Sequence, residues 1–181
     1  MKQGYFSTFQ LILLALFAAL IVIAKIGLKT PLGLPGHTGV FWMAILIAAS
    51  QVVPRRGATS LVGLLSGIMA SFFGLGDFGF LDTFLSYLMI GVATDLALLL
   101  LGSPENLIAA ALAGALGHLG KFLVKWLLGA LTGAPLGFVA LGLFTSLLGY
   151  VVFGALGGLL GGLTLKALRK AGYFAYLAEK K

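Results

Sequence analysis

The sequence predicts an all-α membrane protein: a six-transmembrane-helix bundle with both termini on the cytoplasmic side. Three observations carry that expectation. Of the 181 residues, 60% are hydrophobic and only 9% charged, with a mean hydropathy of +1.12, a composition outside the range of soluble domains. All five prolines (Pro31, Pro35, Pro54, Pro104 and Pro135) fall where apolar runs break; proline disrupts helix interiors, so these positions mark loops. The basic residues are distributed unevenly between the two sets of loops. With the N-terminus inside, Lys2, Arg55, Arg56, Lys166, Arg169, Lys170, Lys180 and Lys181 are all cytoplasmic. The other side receives Lys25, Lys29, Lys121 and Lys125, mostly within spans. Eight against four follows the positive-inside rule and puts both ends of a multi-pass membrane protein on the inner side.

The breaks divide residues 1–181 into helices at about 9–27, 39–53, 57–73, 81–101, 105–129 and 137–165, one integral membrane domain in contact with lipid. The first apolar run is long and shows no small-residue cleavage site, so it reads as a retained span rather than a signal peptide. It carries Ala15-x-x-x-Ala19 with Ala18 beside it. That spacing puts Ala15 and Ala19 on one face, where a second helix can approach closely, either within the bundle or from a partner. The connection KIGLKTPLGLPGHTGVFW is ornate for a linker. Its glycines, prolines, His37 and Trp42 fit a lid over a site, which should order on ligand binding, or an interfacial loop anchored by Trp42. The second and third helices are short, which suits tilted or partly buried elements.

The turn VVPRRGA is a topogenic signal. The loop FGLGDFGFLDT brings Asp77 and Asp82 to the side that holds Lys121 and Lys125. The fourth helix has Tyr87 towards the outside and Asp95 deep on the inner side; a carboxylate at that depth needs a partner, and a link to a neighbouring helix end is the simplest. In GSPEN, Ser103 suits a cap, Pro104 the first helical position, and Glu105 and Asn106 the first turn. On the fifth helix, Ala111, Gly114, His118, Lys121 and Lys125 share one narrow face at 100° per residue. Its small half can pack tightly on a neighbour, while its ionisable half cannot face lipid cheaply. His118, Lys121 and Lys125 are therefore candidates to line a wet pocket, answered by a substrate anion or by Asp77 and Asp82. The sixth helix is glycine-rich on its inner half, through Gly154, Gly158 and Gly162 with Gly157 and Gly161 alongside. That half should be buried against other helices.

Several chemistries are excluded. With no cysteine there is neither disulfide nor thiolate ligand. Two histidines and three dispersed aspartates make no metal site. No Walker A, dinucleotide, His-Glu-x-x-His or Gly-x-Ser-x-Gly motif occurs, so the chain is not read as an enzyme and no cofactor is expected. The net charge of +7 belongs to cytoplasmic loops and tails rather than to a nucleic-acid surface.

Six short hydrophobic helices with both ends inside, Ala15-x-x-x-Ala19, a long first outer loop, Gly39-Val40-Phe41-Trp42 and Pro54-Arg55-Arg56-Gly57-Ala58 together resemble the substrate-binding S component of an energy-coupling factor (ECF) vitamin transporter. The resemblance is closest to the thiamine-precursor (hydroxymethylpyrimidine) branch and covers nearly the whole chain. It implies capture of a vitamin or precursor from outside, in the outer half of the bundle and beneath the first loop. The implied substrate-binding set is His37, Trp42, Asp77, Asp82, Tyr87, His118, Lys121 and Lys125. It also implies that Ala15, Ala18 and Ala19 meet a coupling T subunit, which joins two cytoplasmic ATPases. The chain departs from the family in charge. Lysines and histidine outnumber carboxylates in the outer half, which suits an anionic or neutral hydrogen-bonding substrate better than cationic thiamine. The N-terminal Met-Lys-Gln lacks the histidine used by the metal-transporting branch. The rival readings are a small secondary transporter, with Asp95 or Lys121 coupling protons, and a membrane assembly protein.

Overall fold

The computed structural model describes residues 5–27, 34, 36–76, 79–132 and 136–174, the side chains of 136–145 excepted. Among these residues the fold is all-helical. The helices are α1 (Thr8–Gly27), α2 (Gly39–Val52), α3 (Ala58–Phe72), α4 (Phe80–Leu101), α5 (Leu107–Leu131) and α6 (Leu136–Lys170). Five agree with the expected spans to within two residues at each end. The sixth runs five residues further, to Lys170, because the segment holding Lys166, Arg169 and Lys170 stays helical after its hydropathy falls.

Four segments are long and apolar enough to cross a membrane: Thr8–Gly27, Phe80–Leu101, Leu107–Leu131 and Ser146–Lys170. Helices α2 and α3, at 14 and 15 residues, fall short of the ~20 residues of a straight span and are the elements with the most enclosed surroundings. Trp42, Met43, Leu46 and Ile47 of α2 and Val62 of α3 are fully buried, whereas α1 presents Leu11, Ile12, Leu16, Leu20 and Ile23 outward. One core cluster joins α1 to α4 around Leu14, Ile21, Trp42, Met43, Leu46 and Ile90. A second joins α2, α4, α5 and α6 through Ile47, Ala97, Ala110, Ala113 and Leu165.

Small residues set how closely the helices approach. The face of Gly154 and Gly158 lies on α5. A Cβ on Gly154 would meet the Gly114 carbonyl oxygen at 2.6 Å, and one on Gly114 would meet Gly158 Cα at 2.8 Å. The alternate face, Gly157 and Gly161, lies on α2 against Val40, Met43 and Ile47. Close backbone approach of this kind is what holds helices together where lipid offers no hydrophobic drive.

Asp95 is a link to a neighbouring helix end. The cap position before helix α3 is Gly57, which has no side chain to cap it. Asp95 of α4 supplies the missing acceptor: its Oδ2 takes hydrogen bonds from the Ser60 backbone N–H at 2.7 Å and from Ser60 Oγ at 2.5 Å. An anion at a helix N-terminus satisfies an orphan donor and complements the helix dipole. Asp95→Ala is expected to destabilise the protein by ~1–3 kcal/mol, the scale of a lost cap bonded to a charged group, read as a lower melting temperature in mild detergent.

The start of α5 differs from the expectation. The cap is Asn106, whose side chain accepts from Ile108 N–H at 3.0 Å. Ser103 instead closes the preceding turn, accepting from the Glu105 N–H through Oγ at 3.4 Å. Glu105 therefore lies outside the helix, where it pairs with Arg169 of α6.

Candidate functional site

The ends of α1, α3 and α5 and the start of α4 meet at one end of the bundle. There Lys25, Asp82, Thr83, Ser86, Tyr87, Lys121 and Lys125 line a small cavity closed by Leu75 and Gly76. Its volume is about 10 Å³, room for about one water molecule. Three lysines and one carboxylate in so small a space are unusual in an apolar bundle and call for compensation.

The elements that place these groups are regular. Asp82, Thr83, Ser86 and Tyr87 recur at helical spacing on the buried side of α4. Ser86 Oγ donates to Asp82 Oδ1 at 3.4 Å, and Thr83 Oγ1 turns back to the Gly79 carbonyl at 2.8 Å. Lys121 and Lys125 project one turn apart from α5. Trp42 forms the aromatic wall: it stacks on Tyr87 with centroids 4.8 Å apart and planes at 24°. Lys121 Nζ lies 4.2 Å from the Trp42 ring centroid and Lys25 Nζ 5.2 Å, both within cation–π range. The Trp42 ring thus holds cations that lipid could not accommodate.

Tyr87 is only 4% exposed, and its hydroxyl has no hydrogen-bond partner among the described residues. A buried unsatisfied hydroxyl costs ~1–3 kcal/mol. Tyr87 is one of the residues that line the cavity, and its unbonded hydroxyl is a candidate partner for an incoming molecule. Tyr87→Phe is expected to leave the ligand-free protein as stable as the wild type or up to ~1 kcal/mol more stable, since removing an unpaired polar atom relieves its desolvation. A melting curve checks this.

The candidates from sequence divide into three groups. Asp82, Tyr87, Lys121 and Lys125 line the cavity together, with Trp42 against them. His118 does not line it. It is 1% exposed, sits behind Trp42 at a centroid separation of 6.5 Å, and its Nδ1 is 3.0 Å from the Tyr150 carbonyl. The first residue of α2 presses on it: a Cβ on Gly39 would collide with the imidazole, meeting Nε2 at 2.6 Å. In the ligand-free protein His118 is a packed, hydrogen-bonded core residue beside the cavity rather than part of its wall. His37 also lies off the cavity wall, in the turn before α2, with Nδ1 2.6 Å from the Leu34 carbonyl. Asp77 and residues 28–33 and 35 of the expected lid lie outside the described residues.

Trp42 is 1% exposed, so it is a core residue and not an interfacial anchor. Ala18 is fully buried in the core. Ala15 is exposed and Ala19 half-buried on the outer side of α1.

Lys25, Thr83 and Ser86 belong to the cavity and are absent from the substrate-binding set expected from sequence. A signal for two of them is present: the polar residues 82, 83, 86 and 87 share one face in the first half of α4. No protein-family profile, curated protein or solved structure matches the chain, so the functional reading rests on this geometry and on the sequence resemblance.

Proposed function

We propose that the chain is the substrate-binding S component of an ECF-type importer, capturing a vitamin or vitamin precursor from outside the cell while separate partner subunits hydrolyse ATP. The observation that carries the reading is the cavity of Lys25, Asp82, Ser86, Tyr87, Lys121 and Lys125 against Trp42. It gathers cations, hydroxyls and an aromatic face at one end of an apolar bundle, the mix that binds a small planar molecule bearing an anionic or hydrogen-bonding group. With both termini cytoplasmic, as the basic residues favour, that end faces outward. A vitamin is far larger than the ligand-free cavity, so binding requires Lys121 to leave the Trp42 face and the surrounding segments to part.

The secondary-transporter alternative has Asp95 or Lys121 exchange protons within the membrane. Asp95 instead caps α3 through two hydrogen bonds, which favours the receptor reading.

The outer face of α1 supplies the test. Ala15 is exposed and Ala19 half-buried, so larger side chains there leave the core intact while blocking close approach of a second helix. Ala15→Leu with Ala19→Leu is expected to preserve folding and ligand binding, and to abolish copurification with the T subunit and uptake when the ATPase module is coexpressed. Unchanged copurification of the double variant would remove α1 as the coupling face.

A further inference from the structure

At the opposite end of the bundle, where α2 and α4 finish and α5 begins, a second cavity of about 250 Å³ opens. Its walls include Gln51, Arg55, Arg56, Asp95, Leu98 and Leu99. The positive-inside rule accounts for two arginines in a turn. It does not account for a carboxylate and an apolar wall on the same cavity.

Each group has a defined state. Arg55 and Arg56 are exposed and offer guanidinium forks suited to phosphate oxygens. Both hydrogen bonds that Asp95 accepts from Ser60 end on Oδ2, and Oδ1 has none among the described residues. Leu99 is 52% exposed and Leu100, next to it, 84%. Helix α4 is long enough to cross a membrane and stops at Leu101. The cavity therefore sits at the level where hydrocarbon gives way to headgroups.

We propose that this cavity holds the headgroup of a phospholipid carrying a primary amine. The phosphate lies on Arg55 and Arg56, the ammonium donates to Asp95, and an acyl chain follows Leu98 and Leu99 into the bilayer. Charge complementarity selects this class. A headgroup with phosphate alone leaves Oδ1 of Asp95 without a donor beside a second anion, and a quaternary amine has no N–H to donate. Basic pockets between helix ends at the cytoplasmic surface are known headgroup sites in general; the carboxylate placed among the arginines makes this one selective for a headgroup that pairs its phosphate with a primary ammonium. The site is separate from the lysine-lined cavity and does not depend on the transport reading.

Native mass spectrometry of the full chain in mild detergent tests the proposal. Phosphatidylethanolamine, phosphatidylglycerol and phosphatidylcholine of identical acyl chains are added in turn. Phosphatidylethanolamine should be retained about tenfold more than either of the others, and Arg55→Gln with Arg56→Gln should lower that retention about tenfold. Asp95→Asn should erase the preference for ethanolamine over glycerol; should this variant fail to fold, the exposed arginine pair still decides the matter. Equal retention of the three lipids, or unchanged retention in the arginine variant, would overturn the proposal. Displacement of the lipid by millimolar soluble phosphoethanolamine would show that the free headgroup suffices, and would overturn the lipid as occupant.

Discussion

Gly158→Ala is expected to destabilise the bundle by about 2–3 kcal/mol, although alanine is the better helix former. The added methyl would fall on the Ala110 carbonyl oxygen and lie 2.8 Å from the Ala110 carbonyl carbon. Both are backbone atoms of α5, so no rotamer change can relieve the overlap; the two helices must separate. Separation would also undo the contacts of Gly114 and Gly154, which share the seam. Gly129, also on α5, is the control. A Cβ there meets nothing within 4 Å, so Gly129→Ala should be neutral or stabilising by up to ~1 kcal/mol. Melting curves of the two single variants in one detergent give the comparison. Equal melting temperatures would mean that the α5–α6 seam does not hold the bundle together.

Much of this architecture is legible in the sequence because it rests on local rules. Prolines and hydropathy place six helices, and the spacing of Gly154, Gly158 and Gly162 announces a packed face. The link from Asp95 to a helix end follows from the cost of leaving a deep carboxylate unpaired. What is not legible depends on tertiary approach. The heptad of His118, Lys121 and Lys125 is correct as a face, but the face runs from core to cavity. His118 is sealed by Gly36 and Gly39 arriving from a distant turn and the start of α2, and nothing in the local sequence reports that contact. Likewise, Ala15, Ala18 and Ala19 read as one small patch. Only the direction in which α1 meets the bundle separates buried Ala18 from exposed Ala15. Ser103 and Asn106 are both good caps and each accepts from the N–H two residues on; the chain turns between them before winding into α5 at Leu107, which makes Asn106 the cap.

Lys121→Met should separate binding from stability more sharply than any other single change. Methionine keeps the length of the side chain and can still lie on Trp42 through its sulfur. What it removes is a cation held 4.2 Å from the indole in a cavity shared with two further lysines and Asp82. Losing the cation–π contact costs ~0.5–2 kcal/mol, but removing a desolvated cation that neighbours other cations offsets that loss. The melting temperature of the ligand-free protein should therefore be unchanged or higher. Affinity should move the other way. If an anionic or hydrogen-bonding substrate takes the place of the indole as the partner of Lys121, the variant loses roughly 1.5–3 kcal/mol of binding, the scale of a hydrogen bond to a charged group. Calorimetric titration with the small molecule retained by the wild type in native mass spectrometry measures that change, and a melting curve measures stability. A lower melting temperature with unaltered affinity would show that Lys121 is there to balance Asp82, and would take the substrate away from this helix.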